Sequence, residues 1–160
     1  QVSFSAEALT SSTGTSTSIA TNLGSISDDG RFVAYVSRST DLVEGQVDTN
    51  GADDVFLYDR VNLTTTLISR KAGATDFNTT GSGTSYTPSI SGDGGWVAFV
   101  SEATDLIDGV SVNGAQVYLY EVATDTLHLV TYAAGSDTVA SNGGIGTATA
   151  MPSLSYDGRY

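Results

Sequence analysis

A fixed internal period constrains this chain more than any other property. The run S-I-S-D-D-G-R-F-V-A-Y-V-S at residues 25–37 returns as S-I-S-G-D-G-G-W-V-A-F-V-S at residues 89–101. It starts a third time as S-L-S-Y-D-G-R-Y at residues 153–160. Asp29, Asp93 and Asp157 lie 64 residues apart. A period of this size marks an architecture of stacked supersecondary units, each burying its apolar face only against its neighbours.

Each copy has a physical reading. Ser-Ile-Ser is a short extended run. The pairs Asp29-Gly30, Asp93-Gly94 and Asp157-Gly158 follow, the residue types favoured where a tight hairpin turn needs positive φ. An Asp in such a turn closes it by accepting backbone N–H groups, so a structural role is the preferred reading of these recurring carboxylates. The β-branched and aromatic runs 32–36 and 96–100 then read as strands. They are apolar throughout instead of alternating, as expected of strands covered on both faces.

The remaining segments also recur. T-D-L at residues 40–42 and 104–106 opens a loop, and N-G at residues 50–51 and 113–114 sits in the next connection. V-F-L-Y-D at 55–59 and V-Y-L-Y-E at 117–121 read as a third strand. Residues 65–69 and 126–131 read as a fourth. Val2-Ser-Phe-Ser and the Ser/Thr-rich tract at residues 10–21 repeat the order of a last strand followed by its connector. The expected organisation is therefore 1–24 as the end of a preceding unit, 25–88 and 89–152 as two full repeats, and 153–160 as the start of a third. Tandem four-stranded antiparallel units packed on both faces make a β-propeller. A β-sandwich also has short, regularly spaced strands, but does not explain the period. Both ends cut through units, so the 160 residues are expected to be a window on a longer propeller. Otherwise, several copies would complete a ring or stack into a filament.

At the level of motif, S-x-S-x-D-G-[RG]-[FWY]-V-A-[FY]-V-S, then T-D-L, N-G and V-[FY]-L-Y-[DE], resembles the TolB-type, WD-like propeller repeat of bacterial proteins. The resemblance spans essentially the whole chain. It implies an all-β propeller segment serving as a non-enzymatic platform for a protein or glycan, or as a surface component, outside the cytoplasm. Periplasmic, extracellular and cell-surface locations all fit. It leaves two alternatives: the substrate-gating propeller of a larger serine-peptidase-like hydrolase, and a self-assembling filament or surface-layer subunit. One fold hosts many activities, so the site must decide.

Composition narrows the classes. A net charge of −12 and a pI near 4.1 oppose binding to nucleic acid or to an anionic membrane face. No apolar run approaches the ~20 residues of a membrane-spanning helix. The absence of cysteine excludes disulfides and thiolate metal sites. His128 is the sole histidine and there is no G-x-S-x-G elbow, so a Ser-His-Asp triad would rest on that residue alone. A solvated position on an outer strand is the preferred reading for it. Asp48, Asn50, Asp53 and Asp54 are the candidate metal ligands: hard oxygen donors around a glycine, the set calcium takes. They depart from the EF-hand pattern, and a solvated acidic loop is the competing reading. Tyr35, Tyr58, Tyr118 and Tyr120 read as packing residues of strands before they read as a sugar-binding set. Phe77 and Tyr86 are the aromatics expected in loops. Asn62 and Asn78 head N-glycosylation triplets. Ser91 to Trp96 approaches the sialidase-type propeller signature, but the tryptophan comes too early.

Overall fold

The structure is a computed structural model that describes residues 25–74, 78–145 and 151–160. The Val2–Ser5 strand, the tract at residues 10–21 and Phe77 lie outside the described residues. Eight strands form two four-stranded antiparallel sheets. The first holds β1 (Ser25–Ile26), β2 (Phe32–Ser37), β3 (Asp54–Asp59) and β4 (Thr64–Leu67). The second holds β5 (Ser85–Ile90), β6 (Trp96–Ser101), β7 (Gln116–Glu121) and β8 (Thr126–Leu129). Each sheet is a simple meander in chain order.

The two sheets share one register. Phe32 pairs with Asp59 and Ser37 with Asp54; Trp96 pairs with Glu121 and Ser101 with Gln116. Cross-strand aromatics repeat as well. Tyr35 stacks on Phe56 at 5.8 Å between ring centroids, and Phe99 on Tyr118 at 5.8 Å. A single apolar core runs through both sheets, joining Ala34, Val55 and Leu57 to Ile90, Val97 and Phe99. Each such large side chain, fully buried, contributes about 1.5–3 kcal/mol.

Coverage is less even than the apolar runs suggest. β6 is buried from Val97 to Ser101, whereas in β2 only Ala34 is buried and its neighbours are half-exposed. β5 also begins earlier than the repeat motif, at Ser85. Tyr86 is thus not a loop aromatic: it is buried in β5, with its hydroxyl directed at Glu102 Oε1. A register shift between Tyr86 and Ser89 accommodates Thr87, at φ +51°, and Pro88, which has no N–H to give the ladder.

The long connections are stapled. Val47 donates to the Asn78 carbonyl and accepts from Thr80 N–H, and Ser111 does the same with Thr138 and Ala140, all at 3.0 Å. The β3–β4 and β7–β8 turns place Leu63 and Asp125 at φ +57° and +55°. Asp tolerates that region, and Leu does not. Leu63 is also 73% exposed, so it gains little from packing. Leu63→Gly is expected to stabilise the fold by about 1 kcal/mol, read as a higher urea midpoint at unchanged slope. A lower midpoint would show that the leucine holds the turn.

Candidate functional site

The repeated turn is the element that joins the sheets. Ser27 Oγ donates to Asp29 Oδ1 at 2.7 Å and accepts Phe32 N–H at 3.0 Å, and Arg31 N–H reaches Asp29 Oδ1 at 2.9 Å. Ser91, Asp93, Gly95 and Trp96 make the same knot at 2.6, 2.9 and 3.0 Å. Ser155, Asp157, Arg159 and Tyr160 make it again. The serine hydroxyl, then the backbone N–H, holds Asp29 and Asp93 below the ordinary carboxylate range. Only the glycine of each Asp-Gly pair takes positive φ, at +67°, +75° and +69° for Gly30, Gly94 and Gly158. The connection spans residues 27–31 and is closed by Gly30 N–H on the Ser27 carbonyl. It is not the two-residue turn, which requires positive φ at both centres.

The glycines have a second role. A Cβ on Gly94 would stand 2.7 Å from the Phe32 ring of the first sheet, and one on Gly158 would stand 2.2 Å from the Trp96 indole. The aromatic that opens the second strand of one repeat thus lies on the turn glycine of the next. Asp28 N–H to the Gly92 carbonyl and Ile90 N–H to Ser25 Oγ complete the first joint, at 2.9 and 3.1 Å.

Outward from this joint the sheets enclose a cleft of about 470 Å³. One wall is Arg31, Phe32, Asp59, Asn62, Thr64 and Thr66 of the first sheet. The other is Asp93, Gly94, Gly95, Tyr120, Val122 and Ala123 of the second, and Leu57 of the first sheet adds a further apolar side chain. Arg31, the residue before β2, and Asp59, the last residue of β3, form a fork, Nε and Nη2 to the two Asp59 oxygens at 2.8–3.3 Å. The guanidinium also lies over the Phe32 ring at 4.6 Å. The Arg31 fork, together with N–H groups of Val61 and Asn62, pulls the Asp59 carboxyl down to about 2. The stabilisation from that shift is complete above the ordinary value of 3.8 and is lost as pH falls through 2. The second sheet has Gly95 and Glu121 at these places and no such pair among the described residues. Away from this cleft, Arg70, just past β4, reaches Asp125 Oδ1 at 2.8 Å, and Tyr120 Oη donates to the same carboxylate at 2.5 Å.

The residues singled out as metal ligands are placed apart in role. Asp48 Oδ1 accepts Asn50 and Gly51 N–H, and Asn50 spans to the Gly81 carbonyl. Asp53 pairs with Arg38 at 2.6 Å, while Asp54 is buried and accepts Ser69 Oγ at 3.0 Å. Among the described residues no group of three His, Cys, Asp or Glu side chains is arranged to hold a metal. His128 is an exposed residue of β8 whose ring tilts against Trp96 at 6.4 Å. Tyr118 and Tyr120 are buried, and burial pushes both phenols up, Tyr118 to about 12. Asn62 is exposed in the β3–β4 turn. Asn78 donates to the Glu44 carbonyl, and the Thr80 of its triplet is buried.

The Arg31–Asp59 fork was not singled out from sequence, although one signal existed. In a meander, the residue before the second strand and the last residue of the third are neighbours. Asp54 carried a second signal: its register partner in the other repeat is Gln116, a neutral amide, which marks that position as one where charge is not required.

No protein-family model and no curated protein matches the chain. Among solved structures it is similar to TolB from Acinetobacter baumannii, at 22% identity over 71% of this chain and 22% of that one, with a TM-score of 0.39. It is also similar to a putative TolB from Agrobacterium tumefaciens, at 19% identity over 66% of this chain and 31% of that one, TM-score 0.39. A third is the tricorn protease, at 18% identity over 62% and 9%, TM-score 0.39. The chain spans less than a third of the length of each.

Proposed function

We propose that the chain is a non-catalytic binding module, part of a TolB-like β-propeller working outside the cytoplasm. In this reading the inter-sheet cleft takes a neutral, hydroxyl-rich ligand, a glycan unit. One observation carries the proposal: the lining is dense in hydrogen-bonding groups, yet its only cation, Arg31, is neutralised by Asp59. A cleft of this size suits a small ligand, oriented by a few placed polar groups. With its cation spoken for and Asp93 beside it, the cleft repels anions. The Asn62 amide and the Thr64 and Thr66 hydroxyls supply both donors and acceptors, as sugar hydroxyls require.

The test is a screen of neutral oligosaccharides followed by a ¹H–¹⁵N titration. Binding is expected to shift the amides of Arg31, Asn62, Thr64, Thr66 and Asp93. Asn62→Ala and Thr66→Val, each removing one hydrogen bond worth about 1 kcal/mol, should each weaken the complex roughly fivefold. A screen in which no neutral glycan shifts these amides would overturn the reading, as would a ligand whose shifts cluster away from the cleft.

A further inference from the structure

The chain carries the pair Asn-Gly at residues 50–51, 113–114 and 142–143. The first two hold equivalent places, between the second and third strands of each repeat. Each follows a β-branched residue, Thr49 or Val112, and precedes an alanine, so local sequence treats them alike. Their surroundings differ. In the first repeat every group of the pair is engaged. Asn50 Nδ2 donates to the Gly81 carbonyl at 2.7 Å, Asn50 Oδ1 accepts Ala52 N–H at 2.6 Å, and Gly51 N–H is held by Asp48 Oδ1 at 2.7 Å. In the second repeat the partners are taken away. Ser141 is the counterpart of Gly81, its N–H on the Thr131 carbonyl as that of Gly81 is on Ser69. Gln116, in the place of Asp54, takes the Ser141 carbonyl with Nε2 at 3.2 Å and the Asn113 carbonyl at 3.0 Å. Val47 and Ser111 make matching bridges, so Asp48 corresponds to Val112, which offers Gly114 N–H no acceptor. Asn113 and Gly114 are both exposed, and the Asn113 side-chain amide and Gly114 N–H have no hydrogen-bond partner among the described residues.

We infer that Asn113 is a site of spontaneous modification, an intramolecular deamidation that the fold leaves open in the second repeat and blocks in the first. The Gly114 nitrogen gives its proton to solvent base and bonds to Asn113 Cγ. The Cγ–Nδ2 bond breaks, and that nitrogen leaves as ammonia. The five-membered imide then takes up one water, and either of its two C–N bonds opens, giving aspartate or isoaspartate at this position. Glycine permits the attack because no Cβ shields its nitrogen. At Asn50 the same step must first break the bonds to Asp48 and Gly81. The turn stays open in a longer propeller: Gly51 is exposed although the next sheet is docked beside it, through Ser85 N–H on the Asp53 carbonyl at 2.7 Å. The change is one-way. It adds a carboxylate where the first repeat already carries Asp48 and Asp53, and the isoaspartyl form lengthens the backbone beside the carbonyl on which Gln116 rests.

Peptide mapping of the full-length protein tests this. The protein is aged in mildly alkaline buffer, folded and in urea, and cut with chymotrypsin, whose sites after Leu106 and Tyr118 place Asn113 in a peptide apart from Asn50 and Asn142. Deamidation is read as a mass gain of about one dalton. In the folded protein the Asn113 peptide is expected to gain it roughly tenfold faster, or more, than the Asn50 peptide, because hydrogen bonds must break first only at Asn50. In urea the two rates should converge. Asn113→Gln lengthens the side chain by one methylene and should abolish the gain, which assigns it to this residue and not to Gln116 of the same peptide. Equal rates in the folded protein would overturn the inference. A difference that persists in urea would do the same, since it would then belong to the local sequence, as would a gain that survives Asn113→Gln.

Discussion

Asp54→Asn is expected to raise stability at pH 8–9 by about 2–4 kcal/mol and to leave it nearly unchanged at pH 3–3.5, as read from urea unfolding at each pH. Asp54 is 2% exposed at the start of β3. Burial, opposed in part by the Ser69 hydroxyl and the Asn50 amide and reinforced by Asp48 and Asp53, pushes its carboxyl from 3.8 up to about 7. The folded chain therefore holds this proton more tightly than the unfolded chain. Its contribution is complete below 3.8 and is lost as pH rises through 7; at roughly 1.4 kcal/mol per pH unit between the two values, the loss is on the order of 4 kcal/mol. An amide carries no charge to desolvate, and the other sheet shows that one serves there. Gln116 accepts Thr131 and Ser141 hydroxyls and donates to the Asn113 and Ser141 carbonyls. Together with the acid loss at Asp59, this places the maximum of these two carboxyls' joint contribution at about the ordinary value of 3.8. A variant less stable than wild type at pH 8 would mean that the Asp54 carboxylate is ionised and compensated in the fold.

Gly94→Ala should cost about 2–4 kcal/mol, and Gly30→Ala only about 1–2. Both residues sit at positive φ in the same turn, so both substitutions incur the left-handed backbone penalty of roughly 1–2 kcal/mol. Only Gly94 also meets a ring. The Phe32 Cδ2 atom at 2.7 Å must move, and overpacking of this kind adds about 1–3 kcal/mol. The comparison separates the two reasons for the Asp-Gly pair, turn geometry and close approach. Equal losses would show that turn geometry alone holds the glycine.

How much of this was legible in the sequence follows from what a repeat can encode. The 64-residue period and the apolar runs 32–36 and 96–100 point directly to two four-stranded meanders, which the structure shows sharing one strand order and register. The Asp-Gly pairs located the turns. The second role of Gly94 was hidden, because its partner Phe32 lies 62 positions away in another repeat, and no local pattern reports on that distance. β5 was read as starting late because Thr87 and Pro88 look like connector residues. In the structure a bulge carries both, and Tyr86 is buried beside them. At the cleft, Asp59 was hidden as the end of a strand, while its partner Arg31 was hidden as part of a turn. Only the hairpin register brings them together. In the acidic loop at residues 48–54, Asp48 caps the Asn50 and Gly51 N–H groups, Asp53 pairs with Arg38 and Asp54 is buried on Ser69, partners that only the folded chain displays.

The most direct measurement of the joint between the sheets, and of the cleft it frames, is the set of proton–proton Overhauser contacts between Phe32 ring protons and Gly94 Hα, and between Trp96 indole protons and Gly158 Hα. Strong cross-peaks are expected for both pairs, since each glycine Cα lies against the ring. Their absence, with the strand ladders intact, would contradict the stacking of one repeat's aromatic on the next repeat's turn.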